Sequence, residues 1–279
     1  MIQLFTSTLE CKEYLKDKSD IGLVPTMGNL HDGHLSLLRT SIKNHKINII
    51  TIFVNPTQFA QGEDFNEYPR TLEEDISKIK MLDNVETKIV IFAPASPSEI
   101  YPHELSLLKA TGPTQSMEGA LRPDHFDGVV TVVKRLFDIT NPKTAYFGKK
   151  DYQQYKVIES MVKTQSLPVR IVGLPTLRDE NGLALSSRNN YLSKKEKLDA
   201  LYLYKSLVQI KNAILARSSY MDVQNQIKEL LTDNRFNYIE VCKQDDLSQV
   251  DELKGEIVIL GNMKIGEIKI LDNIEVSIS

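Results

Sequence analysis

Short, strongly apolar runs alternate with helical segments, and this alternation restricts the fold of the chain more than any other feature. The runs lie at residues 21–24, 47–54, 88–92, 144–147 and 169–172. Runs this short and this apolar are typical of strands covered on both faces, as in a parallel sheet. Apolar residues between them recur at helical spacing, as at Leu35, Leu38 and Ile42. The alternation predicts an α/β fold with a Rossmann-like, doubly wound parallel sheet domain.

The pattern changes near residue 175. Residues 194–216 and 222–231 have helical periodicity, and strand-like runs follow at 238–241 and 257–260. Helices followed by strands favour a separate, smaller α+β domain. We therefore expect a Rossmann-like catalytic domain over residues 1–175 and a small α+β C-terminal domain over residues 176–279.

Composition and charge argue against several classes of protein. The net charge is −3 and no run of Lys and Arg is long enough for a nucleic-acid footprint, so we expect no nucleic-acid partner. No window approaches ~18 consecutive apolar residues, so we expect no membrane span. Cys11 and Cys242 fit no metal or disulfide framework, and the N-terminus lacks the features of a signal peptide. We therefore expect a cytoplasmic protein.

The segment VPTMGNLHDGH at residues 24–34 joins the first predicted strand to the first predicted helix. Ligands of open α/β sheets bind at the carboxyl ends of strands, and a helix start offers unpaired N–H groups to anions. Gly28 and Gly33 allow close approach of the backbone to a ligand. His31 and His34 are three residues apart, so their side chains project from the same side and can donate to phosphate oxygens. The pair could also bind a metal, although no third ligand is visible.

Two further clusters, one of amides and one of acidic residues, are weaker indications of a functional site when taken alone. Asn55 and Gln58 follow the second predicted strand, where amides serve as ligand-binding groups or as turn formers. Glu74 and Asp75 lie in the first turn of a predicted helix, where the helix dipole by itself favours acidic side chains. Each cluster therefore has a functional and a purely structural interpretation.

Two later clusters suit a nucleotide. Lys150 can neutralise phosphate, and Asp151 can accept from a ribose hydroxyl or cap a helix. The hydroxyls and the guanidinium at residues 186–188 suit a triphosphate whose charge shifts during reaction, although Ser-Ser-Arg is also an ordinary loop sequence.

Several of these strings resemble known motifs. HDGH at 31–34 resembles the HIGH-type motif of the nucleotidyltransferase superfamily, whose members cleave ATP between its α and β phosphates. PTMGNLHDGH at 25–34 is similar to the signature of the pantothenate synthetase family. So are FVNPTQF at 53–59, YPRTLEED at 68–75, MEGALRPDHFDGV at 117–129 and FGKKDYQQ at 147–154. The resemblance implies an AMP-forming ligase that joins (R)-pantoate to β-alanine through a pantoyl-adenylate.

The resemblance also implies a role for individual residues. The residues assigned to ATP are Met27, Gly28, Asn29, Leu30, His31, Asp32, Gly33, His34, Gly148, Lys149, Lys150, Asp151, Leu177, Leu185, Ser186, Ser187 and Arg188. Those assigned to the substrates pantoate and β-alanine are Pro25, Thr26, Asn55, Gln58 and Gln154. The catalytic candidates are His31, His34, Lys150 and Arg188, and Glu74 and Asp75 are the candidate ligands of the Mg²⁺ that accompanies ATP. Four positions depart from the family pattern, namely Lys78, Asp124, Asp127 and Lys149.

The resemblance further implies a homodimer whose C-terminal domain acts as a lid. Two other classes stay open from the residues. A nucleotidyltransferase that adenylates a phosphate would need a basic pocket in place of the amides Asn55, Gln58 and Gln154. A non-catalytic nucleotide-binding module would have little need for His31 and His34 together with the cationic groups.

Overall fold

The computed structural model describes residues 2–82 and 88–278 of the 279-residue chain. The strands and helices of its first part are β1 (Ile2–Phe5), α1 (Thr8–Leu15), β2 (Ile21–Val24), α2 (Asp32–Asn44), β3 (Ile47–Thr51), α3 (Leu72–Lys80), β4 (Lys88–Phe92), α4 (Pro97–Ile100), α5 (Glu118–Leu121), α6 (His125–Thr140), β5 (Thr144–Gly148), α7 (Tyr152–Thr164) and β6 (Arg170–Leu174). Its last part contains α8 (Lys194–Leu215), α9 (Tyr220–Leu230), β7 (Phe236–Lys243), β8 (Gly255–Ile265) and β9 (Ile268–Ile278).

Six parallel strands form the first sheet, in the order β1-β4-β3-β2-β5-β6. From β2 the chain proceeds to β3 and β4 on one side, and later to β5 and β6 on the other. The strand order therefore reverses at β2, as in a doubly wound sheet, and the carboxyl end of β2 lies at the switch point where such folds bind ligands. The predicted Rossmann-like α/β architecture is confirmed.

Burial explains the apolar character of the central strands. Every residue of β2 and β3 is buried. Leu38 and Ile42 of α2 and Ile79 of α3 belong to one apolar cluster with Ile50 and Ile91 of the sheet. The sequence analysis did not identify β1 in this sheet, nor β9 in the last part of the chain. β1 lies at the edge of the sheet, beside β4, and is not fully buried, so its sequence lacks the continuous apolar run.

The second sheet is antiparallel, with the order β7-β8-β9, and packs against α8. Ser193 and Glu196 form a capping box at the start of α8, which satisfies N–H groups that a helix start leaves unpaired. At Gly261 of β8 an added Cβ would lie 2.7 Å from Leu203 Cδ1, so glycine allows the helix to approach the sheet closely. These elements confirm the predicted small α+β domain.

The chain divides into two compact units. The first unit comprises Met1–Lys149 and Val157–Pro175, and the second comprises Lys150–Lys156 and Thr176–Ser279. The short segment around the start of α7 therefore groups with the second unit. Within the described part of the chain, no helix is long and apolar enough to cross a membrane.

Candidate active site

The loop at residues 25–31, between β2 and α2, follows the switch point of the parallel sheet. Thr26 ties it to β3, because its hydroxyl donates to the Thr51 carbonyl (2.5 Å) and its N–H donates to the Thr51 hydroxyl (3.2 Å). Gly28 and Asn29 have φ angles of 88° and 50°, in the left-handed region. A Cβ at Gly28 would also lie 3.1 Å from an Asp75 carboxylate oxygen, so this turn requires glycine for two reasons.

Helix α3 holds the 25–31 loop through Asp75. One oxygen of this fully buried carboxylate accepts from Leu30 N–H at 2.7 Å, and the other accepts from Asn29 N–H at 2.9 Å. The Thr71 hydroxyl donates to the second oxygen at 3.3 Å. Glu74, the other residue assigned to magnesium, is exposed on the same helix. Among the residues that the structure describes, no group of three or more His, Cys, Asp or Glu side chains is arranged to hold a metal.

Lys78, one of the four departures from the family pattern, also contacts this loop. Its ammonium donates to the Leu30 carbonyl at 2.7 Å. The peptide groups of Leu30 are thus held on both sides by α3, the N–H by Asp75 and the carbonyl by Lys78.

The two histidines form a stacked pair at the N-terminus of α2. His31 is the N-cap residue, and its Nδ1 accepts from Gly33 N–H at 3.1 Å, while His34 Nδ1 accepts from His31 N–H at 3.4 Å. The ring centroids are 4.0 Å apart with an interplanar angle of 30°. A ring nitrogen that accepts carries no proton, so these hydrogen bonds assign the ring proton of each histidine to Nε2. The donor of each ring is therefore its Nε2–H, and both rings lie close to the positive end of the helix dipole.

Gln58 lies in a short 3-10 turn, Pro56–Gln58, and its side-chain amide contacts the 25–31 loop. Its Nε2 donates to the Met27 sulfur at 3.2 Å, and its Oε1 accepts from Asn55 Nδ2 at 3.1 Å. The structure therefore brings Gln58 and the 25–31 loop together within the first unit.

Asn55 is only 1% exposed, and other protein groups occupy its amide. Its oxygen accepts from Tyr101 at 2.8 Å and from both the hydroxyl and the N–H of Thr57, and its nitrogen donates to Gln58 and to the Gly128 carbonyl. Asn55 thus fixes the orientation of the Gln58 side-chain amide. Burial raises the pKa of Tyr101, which keeps this phenol protonated as a donor.

An ion pair fixes the backbone of Gln58. The Gln58 carbonyl accepts from His125 Nδ1 at 2.7 Å and from the Arg122 guanidinium at 3.2 Å. Arg122 in turn donates to both oxygens of Glu63, at 2.7 and 2.6 Å. Burial acts to raise the pKa of Glu63, but the hydrogen bond and charge of Arg122 outweigh it, so the pKa lies below its ordinary value. The sequence analysis missed Glu63 and Tyr101, which no local motif distinguishes.

Two more departures from the family pattern have structural roles. Asp124 has a φ of 61° just before α6, a conformation that Asp tolerates better than most residues. Asp127 accepts from Ala110 N–H at 2.8 Å and from the Lys109 ammonium at 2.6 Å, and so ties the preceding segment to α6. The hydrogen bond from Lys109 to Asp127 raises the pKa of Lys109.

In the second unit, Lys150 and Asp151 lie in a 3-10 turn, Lys149–Asp151, and their side chains form an ion pair of 3.3 Å. Asn273 of β9 donates to the Lys150 carbonyl at 2.9 Å. Gln154 lies in the first turn of α7 and is partly exposed. Gly148, at the end of β5, and Lys149 belong to the first unit.

The segment from Leu177 to Arg188 forms a second group of assigned residues. Leu185 N–H donates to the Leu177 carbonyl at 2.9 Å, and the Ser186 hydroxyl accepts from Arg188 N–H at 3.3 Å as the N-cap of the turn Ser187–Tyr191. Arg178 anchors this segment to β9, because its guanidinium donates to both oxygens of the buried Asp272, at 2.5 and 2.7 Å.

Comparison with known proteins agrees with this geometry. The family model described as pantoate-beta-alanine ligase matches residues 3–275. A pantothenate synthetase of Thermosipho africanus is 41% identical over 266 residues, which cover 94% of each chain. One from Staphylococcus haemolyticus is 41% identical over 282 residues, covering 98% of this chain and 97% of that relative.

Two solved structures are similar along the whole chain. The pantothenate synthetase of Thermus thermophilus superposes with a TM-score of 0.92 at 36% identity, covering 99% of this chain and 100% of that one. The pantoate-beta-alanine ligase of Francisella tularensis, described as complexed with beta-gamma ATP and beta-alanine, superposes with a TM-score of 0.76 at 30% identity, covering 98% and 97%. This chain therefore belongs to the pantoate–β-alanine ligase family, the pantothenate synthetases.

Proposed function

We propose that this protein joins (R)-pantoate to β-alanine with ATP, giving pantothenate, AMP and pyrophosphate. The observation that carries the proposal is one cluster at the switch point of the sheet. There two imidazole donors stand at the start of α2, directly after the loop that carries Met27, and the oriented amide of Gln58 contacts the Met27 sulfur. The imidazoles suit phosphate oxygens, whereas a neutral amide suits a hydroxy acid. A nucleotidyltransferase of related fold, the alternative, would need cationic groups where Asn55 and Gln58 stand.

The chemistry requires an activated acid, because an amine does not readily displace an oxide from a carboxylate. A pantoate oxygen attacks the α-phosphorus of ATP, and the bond from that phosphorus to the bridging oxygen of pyrophosphate breaks. The amine of β-alanine then attacks the acyl carbon and loses a proton, and AMP leaves with the oxygen that came from pantoate. Each step needs its two reactants held in line.

The first unit supplies donors and substrate contacts. The Nε2–H groups of His31 and His34 and the dipole of α2 stabilise charge on the phosphates as pyrophosphate departs. The backbone of residues 27–33 lies beside the nucleotide, and the amide of Gln58 holds pantoate. Asn55 and Thr26 contribute by holding Gln58 and the loop, since their side chains bond to protein groups.

The second unit supplies cationic and hydroxyl groups, which the family resemblance assigns to the nucleotide. Lys150 and Arg188 neutralise phosphate charge, and Ser186 and Ser187 donate to phosphate oxygens. Gln154 is assigned to pantoate. The remaining assignments to ATP are Asp151, Leu177, Leu185, Gly148 and Lys149.

We propose that ATP is used as its Mg²⁺ complex, which would offset phosphate charge. The exposed carboxylate of Glu74 can serve as a ligand. Asp75 does not fit this role, because both of its buried oxygens already accept from loop N–H groups.

We also propose that the protein is a cytoplasmic homodimer, as the family resemblance implies. Both cysteines are free thiols, which suits a reducing compartment. Both are buried, and burial raises the pKa of each to about 12. Sedimentation equilibrium of the purified chain tests the dimer, since a single species at the mass of one chain would contradict it.

A partial reaction tests the proposed function. With ATP and pantoate alone, we expect about one equivalent of pyrophosphate per site and then no further release, because the acyl-adenylate is retained until an amine arrives. Addition of β-alanine should then release AMP and pantothenate. With ¹⁸O in the pantoate carboxylate, one labelled oxygen should appear in AMP. The appearance of ADP and phosphate, or of unlabelled AMP, would show that the acid is activated in another way.

Gln58→Ala should weaken the binding of pantoate without affecting that of ATP. Removal of an amide that pairs with a buried substrate group costs about 1–3 kcal/mol, so we expect the KM for pantoate to rise roughly 5- to 150-fold. Asn55→Asp is the matched variant for the oriented amide, because it replaces the donor to Gln58 Oε1 with an acceptor. It should raise the same KM by a smaller factor. A larger effect on ATP binding than on pantoate binding, measured by titration calorimetry, would place the acid pocket elsewhere.

A further inference from the structure

We infer that α3 acts as a clamp on the 25–31 loop, with Asp75 and Lys78 as positioning residues for the histidine pair, and that Asp75 is not a magnesium ligand. The inference rests on the proposed function only for what the histidines do. The clamp itself rests on contacts within the first unit, and it can be tested without any substrate.

The clamp begins with a loop conformation that collects N–H groups. Gly28 and Asn29 are both left-handed, and the N–H groups of Asn29 and Leu30 both donate to the Asp75 carboxylate. Successive N–H groups in such turns form a concavity that binds anions. Here the anion is a side chain of the protein, 45 and 46 residues further along the chain. The Asn29 and Leu30 N–H groups of the loop are therefore directed at α3 and occupied by Asp75.

The bonding of Asp75 argues against a metal at its oxygens. Each oxygen faces a backbone N–H at 2.7 or 2.9 Å, one also faces the Thr71 hydroxyl, and the side chain is fully buried. Mg²⁺ requires oxygens at about 2.1 Å in octahedral geometry and retains several waters. An ion bound there would stand close to N–H hydrogens aimed at the same oxygens, and it would need room for water in a packed site.

Lys78 provides a second argument against a magnesium ion at Asp75. It lies one turn after Asp75 on α3, and its ammonium donates to the Leu30 carbonyl at 2.7 Å. A cation at this position repels a divalent ion nearby, whereas it suits a carbonyl that has to be held. Asp75 binds the Leu30 N–H and Lys78 binds the Leu30 carbonyl, so the backbone of Leu30 is fixed relative to α3.

The clamp matters because the next residue is the N-cap histidine. His31 follows Leu30 directly, and its ring both caps α2 and stacks on His34. If the loop shifts by about 1 Å, the two Nε2–H donors shift with it, and misplacement on that scale can cost about 100-fold in rate. Asp75 and Lys78 therefore act on the reaction through His31 and His34.

The first test compares Asp75→Asn and Lys78→Met with the control Glu73→Gln, which changes an exposed carboxylate on the same helix. Amide hydrogen exchange of Asn29 and Leu30 is measured in the protein without ligands. Asparagine keeps one acceptor but turns its NH₂ group towards the other N–H, so exchange should be faster by about tenfold or more. Lys78→Met should give a smaller increase, and Glu73→Gln none. Exchange in α6, which belongs to the same unit, serves as the reference for general destabilisation.

The second test measures kcat, KM and the Mg²⁺ concentration for half-maximal rate. Asp75→Asn should lower kcat about 10- to 100-fold with little change in the Mg²⁺ requirement, and Lys78→Met should lower kcat in the same way by a smaller factor. A raised Mg²⁺ requirement in Asp75→Asn, with recovery at high Mg²⁺ and unchanged exchange at Asn29 and Leu30, would overturn the inference. If Asp75→Asn does not fold, Lys78→Met decides, since unchanged exchange and kcat there would refute the clamp. Failure of the proposed function would leave the exchange result standing.

Discussion

Replacement of His34 by alanine should lower kcat about 10²- to 10³-fold while the fold is retained. The size of the effect follows from the loss of one preorganised donor to charge that develops in the transition state. The imidazole of His34 has two parts with separate tasks. Its Nδ1 accepts from His31 N–H and helps to close the start of α2, and its Nε2 carries the proton that can be donated to a ligand.

Two further variants separate these tasks. Asparagine places an acceptor near the position of Nδ1 but has no distal donor, whereas glutamine places a donor near the position of Nε2. If the donor carries the effect, His34→Asn should be as slow as His34→Ala and His34→Gln should recover part of the rate. Loss of the cap alone costs about 0.5–2 kcal/mol of stability and should be seen as a lower Tm in His34→Ala. A loss of rate below tenfold with an unchanged Tm would reduce His34 to a surface residue.

Gly128→Ala should destabilise the first unit strongly, although alanine normally stabilises a helix relative to glycine by about 1 kcal/mol. Gly128 lies in α6, where an added Cβ would be 2.0 Å from the Thr57 carbonyl oxygen and 2.8 Å from the Gln58 nitrogen. These are backbone atoms of the turn that carries Gln58, so they cannot rotate away. Overpacking of this kind costs about 1–3 kcal/mol and occasionally more, and a contact this short belongs at the upper end.

The measurement is chemical unfolding followed by circular dichroism, because the chain contains no tryptophan. Gly148→Ala is the matched control, since an added Cβ there meets no atom within 4 Å and its effect on stability should be small. The surviving Gly128→Ala protein should also show a raised KM for pantoate, because Asn55 and Thr57 both donate to the Gly128 carbonyl. If Gly128→Ala were instead more stable than the wild type by about 1 kcal/mol, α6 and the turn that carries Gln58 would be able to move apart without loss of stability, which would contradict the prediction.

The sequence determined the sheet and the positions of the functional loops. Runs buried on both faces must be apolar along their whole length, so β2 and β3 were recognisable, and their carboxyl ends marked where Pro25 and Asn55 follow. The placement of His31 and His34 on one side also follows from local spacing, because residues three apart at a helix start share one side, whereas the stacking of their rings was visible only in the structure. β1 escaped recognition because an edge strand with an exposed side does not need a continuous apolar run.

Only the tertiary structure decided which polar groups pair with each other. Asp75 and Glu74 are adjacent acidic residues in the first turn of one helix, and no local rule separates them, yet one is fully buried against the Asn29 and Leu30 N–H groups and the other is exposed. Asn55 likewise has its partners at Tyr101 and Gly128, far along the chain. Hydrophobic periodicity is a local property of the sequence, whereas a hydrogen bond between distant residues depends on how the sheet closes and which loops it brings together.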